Sequence, residues 1–348
     1  MKNQKKTLNR RTFMHTTAVV AVGTAFGGSS MFGAPSILRF RQRPGSLIKG
    51  VQIGAITYSF RSMPDQSIEA VLKYVTDSGI GAIELMGDPA ESFAGKPDNP
   101  VDRRAFYGLF RKQREGAELT DEEQMKMQEM QKQMEAYNQV VAGWRSTVSP
   151  DKFMKIKRMF DDAGVKIYAF KPDAFGIHNT DAEIEWGFRT AKILGASHVT
   201  LEHPGDDAHT QKLGEMAKKH EIYVAYHGHE QQTPTLWDTA LEQSPYNAIN
   251  LDLGHFVAAG NTAPLDFIKA KHDRIKSMHL KDRQNPEHGK ANLPWGTGDT
   301  PIKEALQLMK KNNYGFPASI ELEYEIPENS DAVQEVRKCL AYCQKALS

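Results

Sequence analysis

Residues 249–282 read INLDLGHFVAAGNTAPLDFIKAKHDRIKSMHLKD. Two short apolar runs, INLDLGH (249–255) and IKSMHLKD (275–282), flank a segment of helical character. Successive side chains on a strand point to opposite faces. In the second run His279 and Lys281 therefore share one face and Met278 and Leu280 the other. In the first, Asp252 opposes Leu251 and Leu253. Each strand thus has an apolar face to pack on helices and an ionisable face turned the other way.

The same unit recurs along the chain. Strands are expected at IGAITYSF (53–60), AIELM (82–86), KIYAFKPD (166–173), HVTLEHP (198–204), YVAYHGHE (223–230) and ASIELEYE (318–325), which with the first two makes eight. Between them SIEAVLKYVTDSG, DKFMKIKRMFDDAG, EIEWGFRTAKILG and HTQKLGEMAKKH carry apolar residues at three- and four-residue spacing, and three of these end at glycine. Strand–helix alternation implies a parallel sheet, and eight units imply a closed (β/α)8 TIM barrel of the α/β class. A doubly wound open sheet is the alternative, but no GxGxxG follows the first strand. The barrel is expected over residues 50–348.

One interval is too long. About eighty residues separate the second and third strands where about thirty would serve. The excess, about 88–150, includes LTDEEQMKMQEMQKQMEAYNQVVAGW and is expected to be a long amphipathic helix after a loop, with Thr120 and Glu123 as a capping box. It leaves the barrel at the face where βα loops lie, so a lid, a dimer contact making a homo-oligomer, and a plain surface excursion all remain open.

The 348 residues are 40% hydrophobic with a formal net charge of +1, enough for a sizeable core and without a basic tract through the body of the chain, which argues against nucleic acid as a partner. Residues 1–35 differ from the rest. A basic head with Arg10 and Arg11, then Phe13, precedes a short Ala/Val/Gly-rich run closed by small residues, which resembles a twin-arginine export signal. The expected location is the periplasm. Cys339 and Cys343, four apart on a helix, would make a strained disulfide and read as thiols.

Ionisable residues collect at the C-terminal ends of the strands, where a barrel carries its catalytic groups. Glu84, Lys171, Glu202, His227, His229, Asp252, His255, His279, Lys281 and Glu321 all fall there. Neighbouring buried carboxylates repel unless a cation or proton neutralises them, and Asp, Glu and His together suit a divalent metal. Asp252, His279 and Glu321 come from three consecutive strands and are the first candidates as ligands.

LDLGH…MHLKDR (251–283) and LPWGTGDTPIKEALQLMKKNNYGFPASIELEYE (293–325) make the chain similar to the xylose isomerase-like TIM barrels called sugar phosphate isomerases/epimerases, over about residues 50–347 apart from the excursion. The linked motifs D-x-G-H, H-x-K-D, G-x-G-D and S-I-E carry the resemblance. It implies a Mn, Zn or Co centre with Asp252, His279 and Glu321 as ligands. It also implies His255 and Lys281 as substrate contacts, to which we add Glu84 and Lys171, with Trp295 and Phe175 stacking on a sugar. Where relatives carry a strand-5 glutamate, this chain has His227 and His229 in AYHGHEQ (225–231). Glu202 is favoured as the fourth ligand, with His229 next. His227, Glu202 and Glu321 are then candidates for acid–base work.

The implied activity is a metal-dependent isomerase or epimerase acting on a carbohydrate by proton abstraction next to a carbonyl. A lyase or dehydratase acting on a keto-sugar and a non-catalytic carbohydrate-binding barrel are the alternatives. A nuclease of the same superfamily is disfavoured by the near-neutral charge.

Overall fold

The structure is a computed structural model that describes residues 44–114 and 116–348. The export signal expected over 1–35 lies outside the described residues. Eight parallel strands close on themselves: β1 (Val51–Ile56), β2 (Ala82–Met86), β3 (Lys166–Lys171), β4 (His198–Glu202), β5 (Tyr223–His227), β6 (Asn247–Asp252), β7 (Ile275–Leu280) and β8 (Ala318–Ile320). Each pairs with its successor, and β8 returns to β1. The (β/α)8 barrel read from the sequence is therefore the fold. A two-residue strand, Leu47–Ile48, folds back antiparallel on β1. Among the described residues no helix is long and apolar enough to cross a membrane.

Several strands are shorter than expected. The fifth ends at His227, so His229 and Glu230 lie in the following loop. The sixth ends at Asp252, and His255 sits on a short helix. The eighth ends at Ile320, which leaves Glu321, Glu323 and Glu325 beyond it. Past these strand ends His229, Glu230, His255, Glu321 and Glu323 each meet a side-chain partner, while Glu325 is exposed.

Outward-facing strand residues such as Val199, Val224, Leu251 and Met278 are buried with apolar helix residues in one core. A buried aliphatic side chain contributes about 1.5–3 kcal/mol. The inward face is polar. His198 is fully buried; its ring contacts Ser197 Oγ and Ser277 Oγ at 2.9 Å each. Burial pushes its pKa down to about 4, so the folded protein keeps it neutral. The unfolded chain takes up that proton below the ordinary value of 6.5, so stability is lost as pH falls from 6.5 to 4, on the order of 3 kcal/mol from this residue. A His198→Gln variant is expected to lose that much less over this window in urea unfolding of metal-free protein. Identical pH dependence of the two proteins would refute this assignment.

After β1, helix α1 (Ile68–Asp77) is capped by Ser67, whose side chain accepts from Ala70 N–H. Between β2 and β3 lie α2 (Gly87–Phe93), α3 (Arg103–Arg114), α4 (Asp121–Thr147) and α5 (Pro150–Asp162). Two helices thus occupy the stretch read as a loop. Thr120 and Glu123 form a capping box at the start of α4. At its other end Arg145 is buried, 2.8 Å from Glu183 on α6 (Asp181–Leu194) and 3.2 Å from Glu91 on α2. Its guanidinium also lies over the Trp186 ring, 5.0 Å from the centroid. Arg145→Met removes the cation and leaves Glu91 and Glu183 buried. We expect a loss of about 3–5 kcal/mol in urea unfolding; a loss within error of zero would show that α4 is held by other contacts.

Candidate metal centre

Asp252 ends β6 and caps the short helix Leu253–Ala258, its Oδ1 accepting from His255 N–H at 2.7 Å. That bond fixes the carboxylate and turns Oδ2 into the barrel. Oδ2 is buried and accepts no hydrogen bond. Around it stand Lys281 Nζ at 3.0 Å, His227 Nε2 at 3.9 Å and His279 Nδ1 at 3.9 Å. The glycine of D-x-G-H makes this approach possible. A Cβ on Gly254 would lie 2.3 Å from Lys281 Cγ and 2.7 Å from Lys281 O.

Register explains why these groups meet. Asp252 pairs with His279, His227 with Asn250, and Glu202 with His227, so neighbours on the inner face stand at one level. Register shifts at Ile83/Glu84 and at Ile249/Asn250 re-aim the side chains that follow.

His279 is fully buried between two carboxylates, with Nε2 2.7 Å from Glu84 Oε2 and Nδ1 2.9 Å from Glu321 Oε2. Burial opposes its charge, but Glu84 and Glu321 overcome that and raise its pKa to about 10. Glu84 in turn accepts from Thr200 Oγ1 at 2.6 Å, and against the cost of burial the imidazolium holds its pKa at about 2. Glu84, expected as a substrate contact, is therefore enclosed as the orienting carboxylate of His279. A proton on Nδ1 occupies the position that a metal ion would take.

His227 donates Nδ1–H to Asn250 Oδ1 at 2.7 Å, because the Asn250 amide nitrogen is committed to Ser277 Oγ at 2.6 Å. Nε2 then carries the lone pair and faces Asp252. Burial and the neighbouring cation Lys171 push its pKa down to about 3. Such an imidazole stays neutral across the ordinary pH range, which suits a ligand better than a proton shuttle.

Lys281 Nζ sits among Asp252, Glu321 Oε2 (2.9 Å) and Glu323 Oε2 (2.7 Å). Burial works against its charge, but these carboxylates raise its pKa, and Glu321 is held well below the carboxylate range. Glu323, which could be read as a solvated strand end, is a partner of the site.

The rim is more open. Glu202, half-exposed, lies 2.9 Å from Lys171 Nζ and 3.6 Å from His229 Nδ1. Against burial, His227, Lys171 and His229 keep its pKa at about 2. The rings of His227 and His229 are 4.9 Å apart, and those of His229 and His255 4.6 Å. His255 Nδ1 accepts from Arg283 Nη1 at 2.6 Å, so its own proton lies on Nε2. Burial and Lys281 push its pKa down to about 2, leaving a neutral N–H donor. Arg283 is fixed from behind by Glu230 Oε1 at 2.7 Å. Asn250, Ser277, Thr200 and Arg283 were not singled out from the sequence. The first three share the inner-face alternation with Asp252, His279 and Glu202, which is the signal that finds them.

One aromatic expectation is corrected. Phe175 is buried against Phe188, ring centroids 4.9 Å apart, and presents no face to a sugar. Trp295 is partly buried, with its ring edge-on to Tyr342 at 5.8 Å. Its loop is held by Asp282, which accepts from the backbone N–H groups of Gly296, Thr297 and Gly298 at 2.7–3.1 Å and of Thr300 at 3.2 Å. A Cβ on Gly298 would stand 2.4 Å from Asp282 Oδ1, which accounts for G-x-G-D.

One ligand atom each from His227, Asp252 and His279 falls within 4.8 Å of the other two. Donors of one ion, each about 2 Å from it, stand roughly 3–4 Å apart. Asp252 Oδ2, which accepts no hydrogen bond beside the Lys281 ammonium, the lone pair of His227 and the carboxylate behind His279 together fit a divalent metal, with Glu321 adjacent. The trio His227, His229 and His255 also lies within that distance. In it, His255 is oriented by Arg283 as a donor.

The family described as xylose isomerase-like TIM barrel matches residues 124–343, and the chain belongs to it. Comparison with curated proteins gave no significant match. Among solved structures, the probable 3-DHS dehydratase AsbF from Bacillus anthracis is similar with a TM-score of 0.56 at 15% identity, over 84% of this chain and 98% of that one. A 3-keto-D-glucoside 4-epimerase from E. coli gives 0.54 at 11% identity, over 85% and 99%. The IOLI protein with a bound zinc atom gives 0.53 at 16% identity, over 85% and 98%.

Proposed function

We propose that this protein is a divalent-metal-dependent isomerase or epimerase that moves a proton on the carbon next to a carbonyl of a carbohydrate, through an enediolate. The observation that carries the reading is the buried Asp252 Oδ2, ion-paired with Lys281 but accepting no hydrogen bond, which faces both His227 Nε2 and His279 Nδ1. His227, Asp252, His279 and Glu321 would hold Mn, Zn or Co, with His229 on the open side. Bound there, the ion supplies Lewis-acid stabilisation of the negative charge that develops on the substrate oxygen.

The chain's own groups do the rest. Glu202 stands in register with His227, so the carboxylate absent at position 227 is supplied from the next strand at the same level. It is ionised and reaches solvent, as a base must. Glu321 provides the second carboxylate, and Lys171 and Lys281, ion-paired with Glu202 and Glu321, hold those two carboxylates ionised. Proton removal by one carboxylate and return by the other gives isomerisation or epimerisation. A dehydratase is the second reading: the enediolate expels a β-oxygen, which the His255 Nε2–H, fixed by Arg283, hydrogen-bonds and which takes up the proton that the carboxylate removed. The similar folds of a keto-glucoside epimerase and a probable dehydratase support both chemistries.

The test is incubation of metal-loaded protein with 3-keto-glucosides and free ketoses in D₂O, followed by NMR. Deuterium at the carbon next to the carbonyl with a new epimer or isomer is expected. Elimination of the β-oxygen instead selects the dehydratase. Absence of both with metal bound contradicts the reading. We further propose export by the twin-arginine segment, tested by fractionating cells that express the native chain and its Arg10→Lys, Arg11→Lys variant.

A further inference from the structure

Beside the centre a cavity of about 770 Å³ opens between the barrel mouth and the helices that follow β2. It shares a wall with the centre, because Lys171 and Glu202 line both. The opposite wall is α4, which contributes Met134, Tyr137, Asn138 and Ala142. A space of this size takes a small-molecule ligand of its own.

Charge narrows the ligand. Every lysine and arginine on the wall is already held by carboxylates. Lys96 lies 2.6 Å from Asp88 and 3.3 Å from Glu91, Arg145 sits between Glu91 and Glu183, and Lys171 is on Glu202. Asp98 and Asp173 add further acid groups. A phosphate or carboxylate entering here would meet excess negative charge and no uncommitted lysine or arginine, with His178 the one lining imidazole among the described residues. The remaining lining offers amides and the Tyr137 ring, a surface for hydroxyl groups and the apolar face of a sugar ring.

We propose that this cavity is a subsite for the second sugar ring or aglycone of an uncharged glycoside whose reacting ring lies at the metal centre. The inference rests on the metal-centre reading and deepens it. The substrate is larger than a monosaccharide and unphosphorylated, and the helices between β2 and β3 select it.

The test is titration calorimetry on the full metal-loaded chain with glucose, methyl β-glucoside, glucose 6-phosphate, cellobiose, maltose, laminaribiose and trehalose. At least one disaccharide is expected to bind about tenfold more tightly than glucose. Asn138→Trp fills the cavity from an exposed helix position and should erase that preference while leaving glucose affinity unchanged. Asn138→Ala should keep it, and Gln139→Trp replaces the first variant should that one fail to fold. The proposal is overturned if no disaccharide is preferred, if preference survives the filled cavity, or if glucose 6-phosphate binds best. Metal bound with glucose affinity but no disaccharide preference sinks the subsite alone. Absence of both metal and sugar binding sinks the metal-centre reading with it.

Discussion

Replacing Asp252 with asparagine is expected to empty the centre and lower turnover by about a thousandfold or more, since both charge stabilisation and a ligand are lost. Asp252 is singular because its two oxygens have different tasks. Oδ1 caps the short helix that starts at Leu253, and an amide oxygen could still accept from His255 N–H. Oδ2 is the buried atom facing His227 and His279. The amide –NH₂ in its place would be a donor pointed at cationic Lys281. The variant should therefore fold, as circular dichroism would show, yet bind no stoichiometric metal. Retained metal and activity would assign the chemistry elsewhere.

Glu84→Gln is expected to weaken metal affinity by about 10–100-fold without unfolding the protein. The side chain touches His279 Nε2 and Thr200 Oγ1, and a glutamine can keep both contacts by accepting from the first and donating to the second. What disappears is the charge that orients His279 and makes its free nitrogen a stronger donor. Competition titration with a chromophoric chelator measures the change. Unaltered affinity would mean that His279 does not ligate through Nδ1.

Much of this was legible in the chain. Alternation in IKSMHLKD and INLDLGH placed His279 and Asp252 on one inner face, and eight such strands closed the barrel. The same rule reaches Asn250 and Ser277, two residues before Asp252 and His279, but neutral side chains give no reason for notice until their hydrogen bonds are seen. Other features depend on tertiary geometry that alternation does not carry. Arg283 matters because a loop brings it to His255, and Phe175 fails as a sugar platform because α6 packs Phe188 against it. Lys281 reads as a substrate contact in sequence. In the fold it is also the cation that neutralises Asp252, Glu321 and Glu323.

Elemental analysis of the purified protein beside its Asp252→Ala, Glu321→Ala variant tests whether His227, Asp252, His279 and Glu321 hold a divalent ion. About one equivalent of Mn, Zn or Co is expected in the native protein and none in the variant. No metal in either after reconstitution, or equal metal in both, would contradict it.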